Sequence, residues 1–311
     1  MVSLIKAARP NQQLVFGATF SRFRAEYLDL DWRKVYLEIL DELKIKKFRL
    51  SAYWPDIEIQ PGIFDFSNLD WQINEAEKRG GEIILVLGWR LPGWPECHSP
   101  EWAKNLSKTE REKKILNLIE KVVERYKNRL SIWAWQVENE PFLSAFGLCP
   151  PTDRQFFEKE LALVKSLDKR PIIVSASGEL STWITEARYA DILGITIYRA
   201  TYNKYFKYFY YPYPALFYYL KSQLVKFLFG PKKIIVVELQ AEPWTPGDLK
   251  QTTLEEQFKT MNLRRFKKVF NYIKGTGFDE FYLWGAEWWY WLKKQGYPEI
   301  WEEAKRLWIN Q

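Results

Sequence analysis

The run Ser131-Ile-Trp-Ala-Trp-Gln-Val-Glu-Asn-Glu-Pro141 governs how the rest of the chain is read. It begins as a short apolar stretch rich in β-branched and aromatic residues and stops at polar residues and a proline, the pattern of a buried strand entering a loop. Two carboxylates, Glu138 and Glu140, stand where the strand gives out. A second run, Ile234-Ile-Val-Val-Glu238, closes on a glutamate in the same way. Working outward, runs of this kind fall at residues 14–19, 46–52, 82–88, 131–137, 171–176, 192–197, 232–237 and 280–284. Amphipathic stretches between them predict helices at 32–43 behind the cap Asp31, 68–78 ending at Gly80-Gly81, 110–128, and 254–274 ending at Gly275. Strands alternating with helices eight times, with no Pro/Gly/Ser-rich linker, predict an α/β fold: a single-domain (β/α)8 TIM barrel over residues 1–311. Chemistry in such a barrel gathers where strands end and the next loops begin, which is where Glu140 and Glu238 fall. The alternative, a doubly wound open sheet, lacks the Gly-rich phosphate loop that would support it.

Composition narrows the function. Of the 311 residues 47% are apolar, enough for a large core. Aromatic residues make up 17%, more than a core requires, so some are expected to form flat surfaces for a ligand with apolar faces. The net charge of +7 does not read as a nucleic-acid footprint, because Lys and Arg are interleaved with Glu along the predicted helices, as on solvated faces. Abundant Lys and Glu beside two Cys and two Met fits a heat-adapted, thermophilic protein. Cys97 and Cys149 show no metal or redox spacing, and sequence neither pairs them nor keeps them apart. The start, residues 1–10, is too short in apolar residues for a signal peptide, and no run of about 20 apolar residues predicts a membrane span. The chain is expected to be cytoplasmic if that start is native, and otherwise secreted with its signal removed.

Paired glutamates at two strand ends suit glycoside hydrolysis, in which one carboxyl protonates the departing oxygen and the other attacks or activates water at the anomeric carbon. With those residues in view, the chain resembles the clan-A retaining glycoside hydrolases. Gln136-Val-Glu-Asn-Glu-Pro141 is similar to the Asn-Glu-Pro of cellulase-like members and, through its Gln-x-x-Asn-Glu start, to barrel β-galactosidases. Arg49-Leu-Ser-Ala-Tyr-Trp54, with Glu58, Pro61-Gly-Ile-Phe-Asp-Phe66 and Leu69-Asp70 after it, resembles the second-strand region of those galactosidases. Pro141 stands where they carry a tyrosine, and the chain is too short for their accessory domains.

The resemblance implies a retaining β-glycosidase that needs no cofactor and no metal. Glu140 would be the acid/base, its pKa raised by burial near Trp133, Trp135 and a second carboxylate. Glu238 would be the nucleophile. Glu242 competes for that role, but four more extended residues would carry it roughly 13 Å beyond Glu238, and double displacement needs carboxyls about 5 to 5.5 Å apart. Glu242 is then expected to bind sugar hydroxyls or to be held near Trp244. Asn139 would hydrogen-bond the sugar 2-OH. Arg49, a cation inside an apolar strand, should meet a carboxylate, and the resemblance makes that partner the nucleophile. Tyr198 resembles the strand-6 tyrosine that hydrogen-bonds the nucleophile, and Trp284 the strand-8 platform beneath the sugar, with Trp288 and Trp289 beyond it. Trp54 and Trp244 belong to the same expected sugar-binding set. His98, the lone histidine, excludes a Ser-His-Asp triad built elsewhere and a typical zinc site; a sugar contact and a solvent-facing loop position are both open to it.

The stretch that begins at Tyr202 and ends at Phe229 fits no part of this pattern. Crowded with Tyr and Phe and spaced by Lys, it could wall the cleft, form a homo-oligomer interface, or lie on a membrane surface. The sequence as a whole supports a hydrolase of β-linked oligo- or polysaccharides, of β-galactosidase-like or cellulase/β-glucosidase-like specificity. A transglycosidase with the same site and a non-catalytic carbohydrate-binding barrel are the rivals.

Overall fold

The computed structural model describes residues 13–309, and the expectation about the first ten residues lies outside them. Eight strands carry the architecture: β1 (Val15–Thr19), β2 (Lys47–Ser51), β3 (Glu82–Leu87), β4 (Ile132–Val137), β5 (Ile172–Ala176), β6 (Ile192–Ile197), β7 (Lys233–Gln240) and β8 (Glu280–Trp284). They close into a barrel in the order β1-β8-β7-β6-β5-β4-β3-β2. Pairing is parallel for β1 with β8, β2 with β3, β3 with β4, β4 with β5 and β7 with β8. The expected (β/α)8 barrel is therefore the observed fold, with every predicted strand present to within a few residues at each end.

Within the barrel the chain divides into two compact units. One comprises Lys46–Ala176 and Thr185–Gly194, and holds β2 to β5. Its strands are buried over nearly their whole length, the continuous apolar pattern of parallel strands covered on both faces. Helices α2 (Ser67–Glu77), α3 (Lys108–Tyr126) and α4 (Arg154–Leu167) cover them. α3 begins at a capping box, Ser107 with Glu110, and buries Ile115, Leu118, Ile119, Val122, Val123 and Tyr126, an apolar stripe at helical spacing.

The other unit runs up to Ile45, takes in Ser177–Ile184, and resumes at Ile195. It holds β1, β7 and β8 with α1 (Trp32–Asp41), whose cap is Asp31 as expected, the side chain accepting from the Arg33 and Lys34 amides. The aromatic stretch resolves here into an antiparallel ribbon, Ala200–Asn203 with Lys207–Tyr210, and a helix, Ala215–Phe229. The single helix expected over 254–274 is two, Leu254–Thr260 and Leu263–Ile273. Met261 between them is extended, and the Asn262 side chain accepts from the Arg265 amide, so Asn262 starts a second helix where a continuous one would have buried its competing side chain. Ala286–Lys294 and Glu299–Ile309 follow β8.

Candidate active site

At the end of β4 the chain leaves the sheet through Glu138, Asn139 and Glu140. Glu138 and Glu140 have φ of 59° and 43°, a region that residues with a side chain enter at about 1 to 3 kcal/mol each and hold only when their surroundings over-determine it. Those surroundings are a polar network. Arg49 on β2, fully buried, donates from Nε to Gln136 Oε1 at 2.8 Å and from Nη2 to Asn139 Oδ1 at 2.7 Å. Gln136 donates to the Glu138 carbonyl at 2.9 Å and to Ser175 Oγ at 3.2 Å, while the Glu140 amide donates to the same Oγ at 2.8 Å. Arg49, Gln136 and Ser175 thus come from three strands and set the direction of Asn139 and Glu140.

Glu138, the other carboxylate of this run, is occupied. Its two oxygens accept the Trp89 and Arg90 amides at 2.8 and 2.6 Å, tying the loop after β3 to the end of β4. A Cβ on Gly88, at φ +116°, would sit 2.2 Å from Glu138 Oε1, so this approach requires glycine there. Burial pushes the Glu138 carboxyl above the usual carboxylate range, and Glu160 of α4 is pushed well above it by burial and by the Glu138 charge. Asn139 Nδ2 donates to Glu96 Oε1 at 3.1 Å, and Glu96 pairs with Arg90 at 2.6 Å. A disulfide, Cys97 with Cys149, links the loop after β3 to the loop after β4.

The end of β7 is built differently. Between Val236 and Leu239 the register against β8 slips, three residues matching two from Phe281 to Leu283, and Glu238 lies inside that irregularity. Bulges of this kind re-aim a side chain at the rim of a barrel. The Tyr198 hydroxyl donates to Glu238 Oε2 at 3.0 Å. Tyr198 is itself fixed, its amide donating to Glu179 Oε1 at 2.8 Å, while Gln240 Oε1 accepts the Arg199 and Ala200 amides at 2.8 and 3.0 Å. Trp244 packs its ring edge-on to Tyr198 at 5.6 Å.

Glu242 is clamped beyond this point. Arg24 donates to it from Nε and Nη2 at 3.2 and 2.8 Å, and Trp284 Nε1 donates to Glu242 Oε1 at 2.8 Å. Gly285, at φ +129°, leaves room for Glu242, because a Cβ there would stand 2.6 Å from the Glu242 Cβ. Glu287, buried beneath, accepts the Ser21 amide at 2.6 Å. Burial, reinforced by the Glu242 charge, raises its pKa to about 8, and burial raises that of Glu179 to about 7.

Burial removes two of the expected sugar contacts. Trp54 and Trp288 are fully buried, their indole N–H groups donated to Glu58 Oε2 and Gln257 Oε1, so both serve the core. Trp289 is equally buried and donates to the Ala241 carbonyl, pinning the chain just past Glu238. His98 is 7% exposed, which removes the solvent-facing reading. Its Nε2 lies 3.1 Å from the Gly93 carbonyl and its ring meets Tyr53, and burial lowers its pKa to about 4. Trp284, 8% exposed, lies against Glu242 with its N–H committed there.

Sequence reasoning missed Ser175, Glu96, Arg24, Glu179 and Glu287. Ser175 carried a usable signal, a small polar residue at the apolar end of a predicted strand. Arg24 and Glu287 sit in segments with no distinguishing pattern.

No protein-family model matches the sequence, and no curated protein matches it. The fold does match solved structures, among them those of several glycoside hydrolases. A β-galactosidase from Rahnella sp. R3 matches with a TM-score of 0.60 at 13% identity over 96% of this chain and 56% of that one. The native xylanase 10B from Thermotoga maritima matches at 0.61 and 13% identity over 94% and 95%. A β-glucosidase from Exiguobacterium marinum matches at 0.57 and 13% identity over 87% and 88%. At these identities the likeness is one of fold, and the chain spans just over half the length of the β-galactosidase, 56%.

Proposed function

We propose that this chain is a retaining β-glycoside hydrolase of β-linked oligo- or polysaccharides, with Glu140 as acid/base and Glu238 as nucleophile. The observation that carries the reading is the setting of Glu238: a carboxylate in a strand bulge with a tyrosine hydroxyl donated to one oxygen at 3.0 Å. A nucleophile must be held in a fixed direction to attack, and the hydroxyl donated to Glu238 Oε2 holds it. Glu140 supports the other role. Its backbone is held in a costly conformation by Ser175, and Asn139 beside it is fixed by Arg49 and Glu96, an over-determined setting of the kind a positioned proton donor needs. Glu242 is the weaker nucleophile, its carboxylate already committed to Arg24 and Trp284.

In the reaction Glu140 would protonate the glycosidic oxygen while Glu238 attacks the anomeric carbon, giving a glycosyl ester on Glu238. Glu140, now ionised, would take a proton from water, which breaks that ester and releases the sugar with its β configuration. The test is a panel of aryl β-glycosides and β-linked oligosaccharides, with NMR of the first anomer formed. Early β anomer is expected. Early α anomer would refute double displacement, predominant transfer to added sugar acceptors would make the enzyme a transglycosidase, and binding without turnover would leave a carbohydrate-binding barrel.

A further inference from the structure

Label as α5 the helix Ala215–Phe229 of the aromatic stretch. Its exposed large apolar residues are Leu220, Leu224, Phe227 and Leu228, with Phe227 85% exposed. Spacings of four, seven and eight residues put them on one side of a helix. An apolar stripe at helical spacing ordinarily faces a core, and here it faces away from one. The helix cannot simply roll to bury it, because its other contacts are fixed. Tyr218 donates to Glu179 Oε1 at 2.5 Å, and Lys221 donates to the Gly178 and Ser181 carbonyls at 2.7 and 2.6 Å while lying over the Trp183 ring.

The ribbon just before α5 repeats the theme. Its turn carries Tyr205 and Phe206, 75% and 76% exposed, and is shaped by Asn203, whose side-chain oxygen accepts the Tyr205 amide at 2.8 Å. Ring contacts, Phe209 edge-on to Tyr211, then Tyr211 stacked on Tyr213 and Tyr213 on Phe217, connect ribbon to helix at centroid distances of 5.1, 5.9 and 4.3 Å. Charge completes the pattern. No Asp or Glu occurs between Asp191 and Glu238, while Lys204, Lys207, Lys221, Lys226, Lys232 and Lys233 do.

We infer that the outward stripe of α5 and the tip of the ribbon form a docking surface for an anionic lipid bilayer. Leu and Phe would enter the interface, Tyr would sit at headgroup depth, and the exposed Lys204 and Lys207 of the ribbon would meet lipid phosphates. A second copy of the chain suits the surface less well, since an isologous contact would bring the exposed Lys204 and Lys207 of both copies together. Among the described residues no helix is long and apolar enough to cross a membrane, so the contact would lie on the bilayer.

The experiment is co-sedimentation of the full chain with vesicles of phosphatidylcholine alone and of equal parts phosphatidylcholine and phosphatidylglycerol, over a salt series. Binding is expected to the anionic vesicles, to be weak to the neutral ones, and to fall as salt rises. Replacing Leu224 and Phe227 together by Ser should weaken binding about tenfold or more, and Lys204→Gln with Lys207→Gln should weaken it about tenfold. Thermal melting of these variants should be unchanged, because the side chains are exposed. Failure to bind anionic vesicles would overturn the inference, as would binding indifferent to Leu224 and Phe227. Equal retention on poly-glutamate would reduce the surface to charge alone, and a dimer split by Phe227→Ser, without vesicle binding, would assign it to a second copy. None of these readouts involves turnover, so failure here leaves the proposed hydrolase reading where it stood.

Discussion

At the end of β4 three polar residues follow one another, Glu138, Asn139 and Glu140, and two of them sit at positive φ. At the end of β7 Glu238 stays within the strand, and a slip of register against β8 turns it. The first arrangement keeps its chemistry local and its strain in φ, held by side chains of β2 and β5. The second spreads its chemistry: Tyr198 comes from after β6, Arg24 from the short helix Arg22–Tyr27 that follows β1, and Trp284 from β8. A strained backbone aims a group whose neighbours also work, whereas a bulge aims one residue and leaves the rest to long-range partners.

The largest effect should come from the β7 end. Glu238→Gln is expected to lower kcat by about 10⁴-fold on every substrate, activated or not, as loss of a nucleophile does. Azide should rescue a Glu238→Gly variant with an inverted glycosyl azide, as NMR of the product would show; rescue of Glu242→Gly in its place would move the nucleophile. At the β4 end the effect should depend on the leaving group. Glu140→Gln should slow glycosides with poor leaving groups by about 10² to 10³ and nitrophenyl glycosides far less, the range of general acid catalysis. Equal losses on both would erase the distinction between the two ends.

How far the sequence could be read follows from the same contrast. Strands were legible because a parallel barrel buries them on both faces, leaving uninterrupted apolar runs such as Ile234-Ile-Val-Val. Glu140 was legible because Asn139 and Pro141 adjoin it. Arg24 and Glu287 were not, because each is defined by a distant partner, Arg24 by Glu242 across 218 positions and Glu287 by Ser21 across 266; Glu179, in a turn, is defined by Tyr198 and Tyr218, which no local pattern joins to it. Tryptophans misled for a related reason. An indole N–H finds a buried acceptor as readily as a ligand, and Trp54 and Trp288 did so. The break at Met261 was missed because amphipathic periodicity continues across it while Asn262 caps a new helix.

The Arg24–Glu242 pair tests whether the β7 end depends on distant partners. Arg24→Met should cost about 2 kcal/mol of unfolding free energy in urea, because it leaves a mostly buried carboxylate with the Trp284 N–H in place of its cation. A change within about 0.5 kcal/mol would mean that water replaces Arg24 without loss, and that Glu242 is held less firmly than its contacts suggest.

An effect confined to pH concerns Glu287, whose carboxyl is raised by burial from 4.5 to about 8. A raised acid pKa means that the folded state holds a proton the unfolded chain has already released, so unfolding free energy falls with pH wherever the two states differ. The contribution is therefore full below pH 4.5 and is lost as pH climbs toward about 8. Glu179, raised by burial to about 7, adds a slope of the same sign that ends earlier. Urea unfolding between those limits should show stability declining with pH, and Glu287→Gln, which keeps shape and an acceptor for the Ser21 amide, should flatten the upper part of the decline while leaving stability at low pH nearly unchanged. An unaltered slope in that variant would mean that Glu287 is ionised in the folded protein, and that the positive charge of Arg24 reaches past Glu242 to hold it so.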